Sequence, residues 1–255
     1  MRKYNFNEHF FDELNEKSSY WLGFLYADGS VRMKDGKSGE LRVKLKDTDK
    51  EHIEKFLKDI ECDKPIKCGV EGKSKFCSVT VYSNLLVNRL FDLGCIKNKT
   101  FKIGLPKLND EYITHFIRGY FDGDGCISKV KNKWYHITIA GNEGFIFSLK
   151  KILSDKGILK INIYSSGKIK ILSITNLTDV FKFKNIIYNY ATVFLRRKKN
   201  KFDGVVNNFV SEKDFCDLVL EKNLTTLNKY VSYISLNKLS RFPRNPESEY
   251  NFKFL

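Results

Sequence analysis

The sequence of 255 residues lacks the features that mark membrane, secreted and zinc-binding proteins. No apolar run approaches the length needed to cross a bilayer. The N-terminal segment MRKYNFNEHFFDELNEK carries acidic and polar residues where a signal peptide has an apolar stretch. The six cysteines form no CxxC pair and the four histidines lie far apart, so we expect no zinc site. We expect a chain that is not secreted, is cytoplasmic or organellar, and keeps its cysteines as buried reduced thiols.

Acidic residues are scarce relative to basic ones. Lys and Arg number 45 against 30 Asp and Glu, which gives a net charge of +15 and a pI near 9.4. A charge of this size points to a polyanionic partner. Nucleic acid is the leading candidate, and an anionic membrane surface is the second. The length fits one large domain or two small ones with an ample core.

An internal repeat organises the chain. Residues 20–31, YWLGFLYADGSV, resemble residues 116–127, FIRGYFDGDGCI. Three residue pairs are separated by the same 96 positions (119 − 23, 124 − 28, 125 − 29), and they are Gly23 with Gly119, Asp28 with Asp124, and Gly29 with Gly125. The segments after the two copies also correspond to each other, which indicates a duplicated structural unit.

Each copy is followed by the same predicted elements. A short strand leads to a longer alternating strand, a helix, two further strands and another helix. In the first half the longer strand, helix, strands and helix are predicted at 40–46, 49–60, 66–70, 76–82 and 84–93, and in the second at 135–140, 143–155, 159–164, 169–174 and 177–188. This order predicts an α+β fold of two pseudo-symmetric αββαββα halves with antiparallel sheets. The predicted divisions are 1–105, 106–202 and a helical C-terminal extension at 203–255.

The repeated segment is predicted to be a helix with small residues on one face. The helix over 18–28 can be capped by Ser18 or Ser19. Its small residues and those of the second copy lie one turn apart, and they are Gly23 with Ala27 and Gly119 with Gly123. Small residues at this spacing let helix backbones approach closely. We therefore expect the two helices to pack together at a pseudo-two-fold axis.

Each repeated helix ends in an Asp-Gly pair. Gly29 and Gly125 suit the left-handed conformation that terminates a helix. Asp28 and Asp124 then lie at negative helix ends, and close packing sets two like charges side by side. Divalent cations relieve this conflict, and oxygen ligands suit Mg²⁺, which supports phosphodiester cleavage. One Asp-Gly is usually just a turn, but two in register in a basic chain favour a metal site. Asp122, which aligns with Tyr26, is interpreted as a structural hydrogen-bonding residue.

The segments WLGFLYADG at 21–29 and IRGYFDGDG at 117–125 resemble two degenerate copies of the LAGLIDADG homing endonuclease signature, in its single-chain two-motif form. The similarity covers about residues 1–202. It implies two halves around the packed motif helices, with the sheets forming a saddle over DNA. The implied activity is a metal-dependent staggered double-strand cut in a long DNA target, made by a monomer.

The resemblance also implies roles for particular residues. The last acid of each motif binds metal, which assigns Asp28 and Asp124 as catalytic ligands for Mg²⁺, with about two or three divalent ions between them. Basic residues near the end of each half assist catalysis, and the matching positions are Lys99 and Lys198. Residues at the end of the second strand hold active-site water, which points to Asp49 and Asn142. Tyr26 replaces the first acid of the motif and leaves the metal ligand intact.

Alternation in the strand at 40–46 predicts a DNA-binding face. Leu41, Val43 and Leu45 point one way, toward the helices. The basic residues of the opposite face, with two extending it, are Arg42, Lys44, Lys46, Arg32 and Lys34. A charged solvated face is common, but like charges in alternation favour a polyanion. The second half is expected to use Trp134, His136, Thr138, Lys168 and Lys170, and to read bases more and phosphates less.

The C-terminal 203–255 lies beyond the repeat. Helices are predicted at 211–220 and 225–235, and LSRFPRNPESEY at 239–250 resembles short Pro-containing repeats beside phage-type endonuclease and integrase domains. The segment is interpreted as a DNA-contacting appendage or a simple packing extension, and it hints at a mobile element of a phage or bacterium. Two other functions remain open at this point: an intron RNA maturase on the same scaffold, and a non-cleaving DNA-binding regulator. The sequence leaves the target and the host gene open.

Overall fold

A computed structural model describes residues 3–34, 37–95, 104–130 and 134–209, without the side chains of Lys34, Lys37, Val130, Trp134 and 204–209. The first half contains α1 (Glu16–Ala27), β1 (Gly29–Lys34), β2 (Lys37–Lys46), α2 (Lys50–Asp59), β3 (Lys67–Glu71), β4 (Ser74–Tyr82) and α3 (Asn84–Asp92). The second contains α4 (Asp110–Asp124), β5 (Cys126–Val130), β6 (Trp134–Gly141), α5 (Glu143–Asp155), β7 (Ile161–Ser166), β8 (Ile169–Ile174) and α6 (Leu177–Tyr188), and α7 (Arg196–Phe209) follows. Each half therefore has the order αββαββα, and the predicted fold class is confirmed.

Each half contains one antiparallel sheet of four strands. The orders are β1-β2-β4-β3 and β5-β6-β8-β7, so the two sheets have equivalent topology. Along β2 the residues alternate between a buried face, with Leu41 and Val43, and a face that carries Arg42 and Lys44. Strand residues alternate because successive side chains point to opposite sides of the sheet. The buried face packs against α2 and α3 and forms the core of the first half.

Helices α1 and α4 touch through their backbones. A Cβ atom added to Gly23 would lie 2.0 Å from the carbonyl oxygen of Phe116. A Cβ on Gly119 would lie 1.9 Å from the carbonyl oxygen of Tyr20, which is the equivalent contact in the other direction. One turn further on, a Cβ on Gly123 would lie 2.3 Å from the Cβ of Ala27. Only hydrogen atoms fit at these points, so the small residues set how closely the helices approach.

The ends of α1 and α4 differ from the sequence prediction. Asn15, rather than Ser18 or Ser19, caps α1, and the Ser18 hydroxyl accepts from the Asn15 backbone in a reciprocal capping box. Gly125 has φ −73° and ψ 155°, and Gly29 begins β1, so neither is left-handed. The reason for glycine is steric, because a Cβ on Gly125 would lie 2.1 Å from Phe121 Cδ2. The helices end by turning directly into strands.

Cysteine pairing differs from the expectation of buried reduced thiols. Cys68 in β3 and Cys77 in β4 are opposite each other in the strand register and form a disulfide. Outside this disulfide, Cys95 is buried, Cys62 is half-buried and Cys126 is exposed. The expectation was wrong for Cys68 and Cys77 because their pairing depends on the hairpin register, which the spacing in sequence did not reveal. It was also wrong for Cys62 and Cys126, which are not buried. The sixth cysteine lies outside the described residues.

Residue contacts divide the chain into two units, Met1–Asp203 and Gly204–Leu255. Both αββαββα halves lie in the first unit. The helices predicted at 211–220 and 225–235 lie outside the described residues, so the C-terminal extension stays a prediction. Among the described helices, none combines the length and apolar character that crossing a bilayer requires.

The close helix crossing predicts a large effect of one methyl group. Gly119→Ala would place Cβ against the Tyr20 carbonyl and force the helices apart, and we expect a loss of about 3 kcal/mol or more in unfolding free energy. Gly104→Ala is the control, because its Cβ would meet no atom of the described residues within 4 Å, and a change within about 0.5 kcal/mol is expected. Urea unfolding of both variants measures the difference. Equal stabilities would contradict the contact.

Candidate functional site

The two aspartates of the repeat lie at adjoining helix ends. Asp28 is the C-cap of α1, and its N–H donates to the Phe24 carbonyl at 2.8 Å. Asp124 is the last residue of α4, and both aspartates are exposed. A Cβ on Gly123 would lie 3.5 Å from the Asp28 nitrogen, so the end of α4 reaches the end of α1. The structure therefore brings the two acidic residues to one seam between the halves.

Lys198 lies buried beside this seam. Its Nζ donates to the carbonyl oxygens of Phe121 at 2.6 Å, Gly123 at 3.0 Å and Gly125 at 2.6 Å. Burial lowers the pKa of Lys198 to about 8, and the negative charges nearby act in the opposite direction. The charges that raise its pKa are those of Asp122, Asp28 and Asp124. Lys198 thus shares one electrostatic environment with both acids, whereas its predicted counterpart Lys99 lies outside the described residues.

The donor chemistry at the seam fits a hard divalent cation. Asp28 and Asp124 offer carboxylate oxygens, which Mg²⁺ prefers together with water and substrate phosphate oxygens. Among the described residues there is no group of three or more His, Cys, Asp or Glu side chains that could hold a metal. Mg²⁺ characteristically keeps several waters and uses one or two carboxylates, so a pair is sufficient protein ligation. The residues that would hold it are therefore these two aspartates.

A buried polar cluster lies behind the seam. Asp122 is fully buried and accepts hydrogen bonds from the Tyr20 hydroxyl at 2.8 Å, the Leu195 N–H at 2.7 Å and the Tyr188 hydroxyl. Burial raises the pKa of Asp122, while these bonds act to lower it. The interpretation of Asp122 as a structural hydrogen-bonding residue is confirmed. Its partners were not predicted, because they come from three separate elements of the chain.

His52 extends this cluster and was not predicted from the sequence as part of it. Its Nε2 lies 3.0 Å from the Tyr20 hydroxyl oxygen. Because that hydroxyl donates to Asp122, the His52 Nε2–H must donate to it, which leaves Nδ1 unprotonated. Nδ1 is buried and has no hydrogen-bond partner among the described residues. Burial lowers the pKa of His52 to about 3, so the ring is neutral. Its place on the apolar face of α2 beside Ile53 was the available signal.

The basic run at the start of α7 contacts the first half of the chain. The Arg197 Nε donates to both carboxylate oxygens of Asp49, at 3.1 and 2.8 Å, and Arg196 pairs with Glu51 at 3.3 Å. Asp49, predicted to hold active-site water, is almost fully buried by this pairing. Its counterpart Asn142 caps α5 by accepting from the Phe145 N–H at 3.0 Å. Both side chains therefore carry structural contacts, and their role toward water stays a prediction.

The face of the first sheet opposite its core carries the predicted basic residues, and some of them form ion pairs with acidic residues of the chain. Arg42 and Lys46 lie on the face opposite Leu41 and Val43. Two other cations of this face have acidic partners within the chain, and the pairs are Arg32 with Glu40 and Lys44 with Glu71. The Lys44 ammonium also lies 4.1 Å from the centre of the Phe76 ring. The Lys34 side chain lies outside the described part.

The second sheet presents a less charged face. His136 and Thr138 lie opposite the buried Tyr135 and Ile137, and His136 Nε2 lies 2.8 Å from the Ser173 hydroxyl. Lys168 is exposed at the β7–β8 hairpin, and the Trp134 side chain lies outside the described part.

Lys170 departs from the expected position. It occupies the same strand face as the buried Leu172 and Ile174, and its Nζ lies 3.0 Å from the Ser165 hydroxyl and 3.3 Å from a Glu143 oxygen. The strand alternation places it on the side that the helices cover, so Lys170 does not belong to the face of His136.

Known proteins share this architecture. Residues 111–187 match the family model described as a LAGLIDADG-like domain. The homing endonuclease I-WcaI bound to its DNA recognition sequence aligns with a TM-score of 0.56 at 15% identity, over 75% of this chain and 91% of that one. Meganuclease I-SmaMI bound to uncleavable DNA aligns with a TM-score of 0.52 at 14% identity, over 80% and 94%. At these identities the likeness shows the fold.

Two further similarities extend beyond the endonucleases. Full-length DUF199/WhiA from Thermatoga maritima aligns with a TM-score of 0.50 at 18% identity, over 91% of this chain and 71% of that one. The replication factor C small subunit of Methanocaldococcus jannaschii is 30% identical over 130 residues, which are 49% of this chain. The chain spans 6% of the length of that relative, so the match concerns a small part of it.

Neutral, buried His52 predicts a pH-dependent stability. Its pKa is about 3 in the folded chain against an ordinary 6.5, so the unfolded state alone gains a proton as pH falls through 6.5. The stabilisation that comes from keeping His52 neutral is therefore fully present above pH 6.5, and it is lost progressively as pH falls from 6.5 toward 3. Between pH 7.5 and 5, the wild type should lose about 2 kcal/mol more unfolding free energy than His52→Gln. Urea unfolding at both pH values measures this, and identical losses would exclude a neutral His52.

Proposed function

Because the chain contains a LAGLIDADG-like domain at residues 111–187 and has the fold of LAGLIDADG homing endonucleases, we propose that it is a site-specific DNA endonuclease. The proposed reaction is a staggered double-strand cut in a long DNA target, made by a monomer. The observation that supports the proposal is the position of Asp28 and Asp124 at the adjoining ends of two helices in backbone contact. A fold alone hosts many functions, whereas a paired acidic site narrows the chemistry.

Asp28 and Asp124 are the proposed metal ligands. Bound Mg²⁺ would supply water activation and charge stabilisation at the scissile phosphate. The chain itself holds one carboxylate from each half at the seam, and the paired helices fix their separation. Lys198 in the second half and Lys99 in the first are the basic residues proposed to assist catalysis. Asp49 and Asn142 are proposed to border the site from equivalent N-cap positions of α2 and α5.

The outward faces of the two sheets are the proposed DNA surface. The first sheet offers Arg32, Lys34, Arg42, Lys44 and Lys46, and its cations suit phosphate contacts. In Arg32 and Lys44, the acidic partners hold the cations in place, which favours defined contacts over diffuse attraction. The second sheet offers Trp134, His136, Thr138 and Lys168, which suit base edges more than phosphates. The endonuclease I-WcaI, which shares the fold, is bound to its DNA recognition sequence.

A non-cleaving DNA-binding protein is the second candidate function. The likeness to DUF199/WhiA covers 91% of this chain at 18% identity. This fold is therefore also found in a protein that is not described as a nuclease. The presence of both acids favours cleavage over this alternative. No observation on the described residues favours the intron RNA maturase.

Removing either acid tests the proposed cleavage. Asp28→Asn or Asp124→Asn should abolish double-strand cutting, because each carboxylate supplies charge and ligation that an amide lacks. DNA binding should survive, since both residues lie at the seam rather than in the sheets. The measurement is cleavage of a genomic DNA library in Mg²⁺, followed by sequencing of the cut ends, together with binding to the recovered site.

Asp155→Asn is the matched control, because Asp155 is also an exposed last residue of a helix. It should cut like the wild type. Full cutting by either seam variant would remove the proposed roles, and binding without any cutting by the wild type would favour the second candidate.

The sheet surface predicts salt-dependent DNA binding. A phosphate contact releases counterions, so removing one such contact reduces the slope of log K against log salt by about 0.9. Arg42→Met should lower the slope by about this amount. Lys151→Met, on the exposed side of α5, should leave it unchanged. Fluorescence anisotropy at several salt concentrations gives the slopes, and an equal effect of both variants would argue against the sheet face.

A further inference from the structure

The C-terminal end of α4 is closed by a side chain from another helix. Lys198, in the first turn of α7, directs its ammonium to three carbonyl oxygens at 2.6, 3.0 and 2.6 Å. These belong to Phe121, Gly123 and Gly125, and so surround Asp124 in sequence. An ammonium has three N–H donors, and the three carbonyls are sufficient to occupy all of them. A lysine that touched DNA would have to give up at least one of these bonds.

Lys198 is itself held in place. The Leu195 N–H, just before α7, donates to buried Asp122, and the Lys198 N–H donates to the Leu195 carbonyl at 3.0 Å. Arg197 fixes the same turn to Asp49. The ammonium therefore reaches the carbonyls from an anchored backbone, with 4% of the residue exposed.

At the equivalent end of α1, one described side chain lies near a carbonyl oxygen. Leu25 is the repeat counterpart of Phe121, and its carbonyl oxygen lies 3.8 Å from the Cys95 thiol. A thiol is a much weaker donor than an ammonium. Among the described residues, a side-chain donor therefore lies near this carbonyl position in both halves.

We propose that Lys198 is a positioning residue, which fixes the last turn of α4 and thereby orients the Asp124 carboxylate toward a divalent cation. The inference rests on the proposed function for the identity of that cation. It assigns Lys198 to the protein's internal structure, where it acts through the backbone on either side of Asp124. Groups that orient a metal ligand in this way typically change metal affinity about 10- to 100-fold when they are removed.

Electrostatics alone makes the opposite prediction. The positive charge of Lys198 is felt by both Asp28 and Asp124, and it repels a cation bound between them. If Lys198 acted only as a nearby charge, its removal would tighten cation binding. If Lys198 acted only on DNA, its removal would slow cleavage without weakening the binding of the metal ion. Of these three roles, only a positioning role predicts that the cation binds more weakly after the repelling charge of Lys198 is removed.

The test is a titration of the full chain with Mn²⁺, in which the bound ion is followed by electron paramagnetic resonance. Lys198→Met should weaken Mn²⁺ binding about 10-fold or more. Lys199→Met is the matched control, since it removes the same charge one residue later, from a lysine whose ammonium lies over the Phe194 ring. It should leave the affinity unchanged. Lys198→Gln, which keeps two N–H donors without the charge, should retain more affinity than Lys198→Met.

Amide hydrogen exchange supplies a second readout that needs no metal. Lys198→Met should speed exchange at Gly123–Gly125, because the last turn of α4 loses its three side-chain bonds, whereas Lys199→Met should not. Unchanged or tighter Mn²⁺ binding by Lys198→Met, with unchanged exchange, would overturn the proposal. If the wild type binds no Mn²⁺, the metal site of the proposed function fails, and exchange at the end of α4 then decides the role of Lys198 by itself.

Discussion

Two helix backbones touch at Gly23 and Gly119, and each glycine faces a carbonyl of the other helix. Because the contact leaves no room for a side chain, the crossing point and the distance between α1 and α4 are fixed together. The same contact determines the positions of Asp28 and Asp124, which follow Gly23 and Gly119 by five residues. The first strand of each sheet begins directly after these helix ends. The position of the acidic pair therefore follows from backbone packing.

The space behind that contact is filled unequally. In the second half Asp122 collects donors from Tyr20, Tyr188 and the start of α7. Its repeat counterpart Tyr26 instead donates to the Leu93 carbonyl. The buried carboxylate ties α7 to the interior, and this placement puts Lys198 against the end of α4. In the described part of the chain, Asp122 and Tyr26 thus occupy equivalent repeat positions and make different polar contacts.

Much of the fold could be predicted from the sequence because periodicity and the repeat are local signals. The boundaries of α5, β8 and α6 matched the prediction, and the resemblance to the LAGLIDADG family is confirmed. Contacts between distant segments could not be predicted, as with Arg197 and Asp49, or the Cys68–Cys77 pair. The conformation of Gly125 was missed because glycine was explained by torsion angles when the actual constraint was the Phe121 ring.

The two sheet faces are chemically different, with Arg42 and Lys46 on one and His136 and Thr138 on the other. A dimer of identical chains presents the same face twice, so the DNA sequence that it recognises must be an inverted repeat. Here each lobe is encoded separately, so a substitution in one leaves the other untouched. A DNA duplex lying across both sheets would contact two chemically different surfaces. The two halves of its sequence would then not need to form a palindrome.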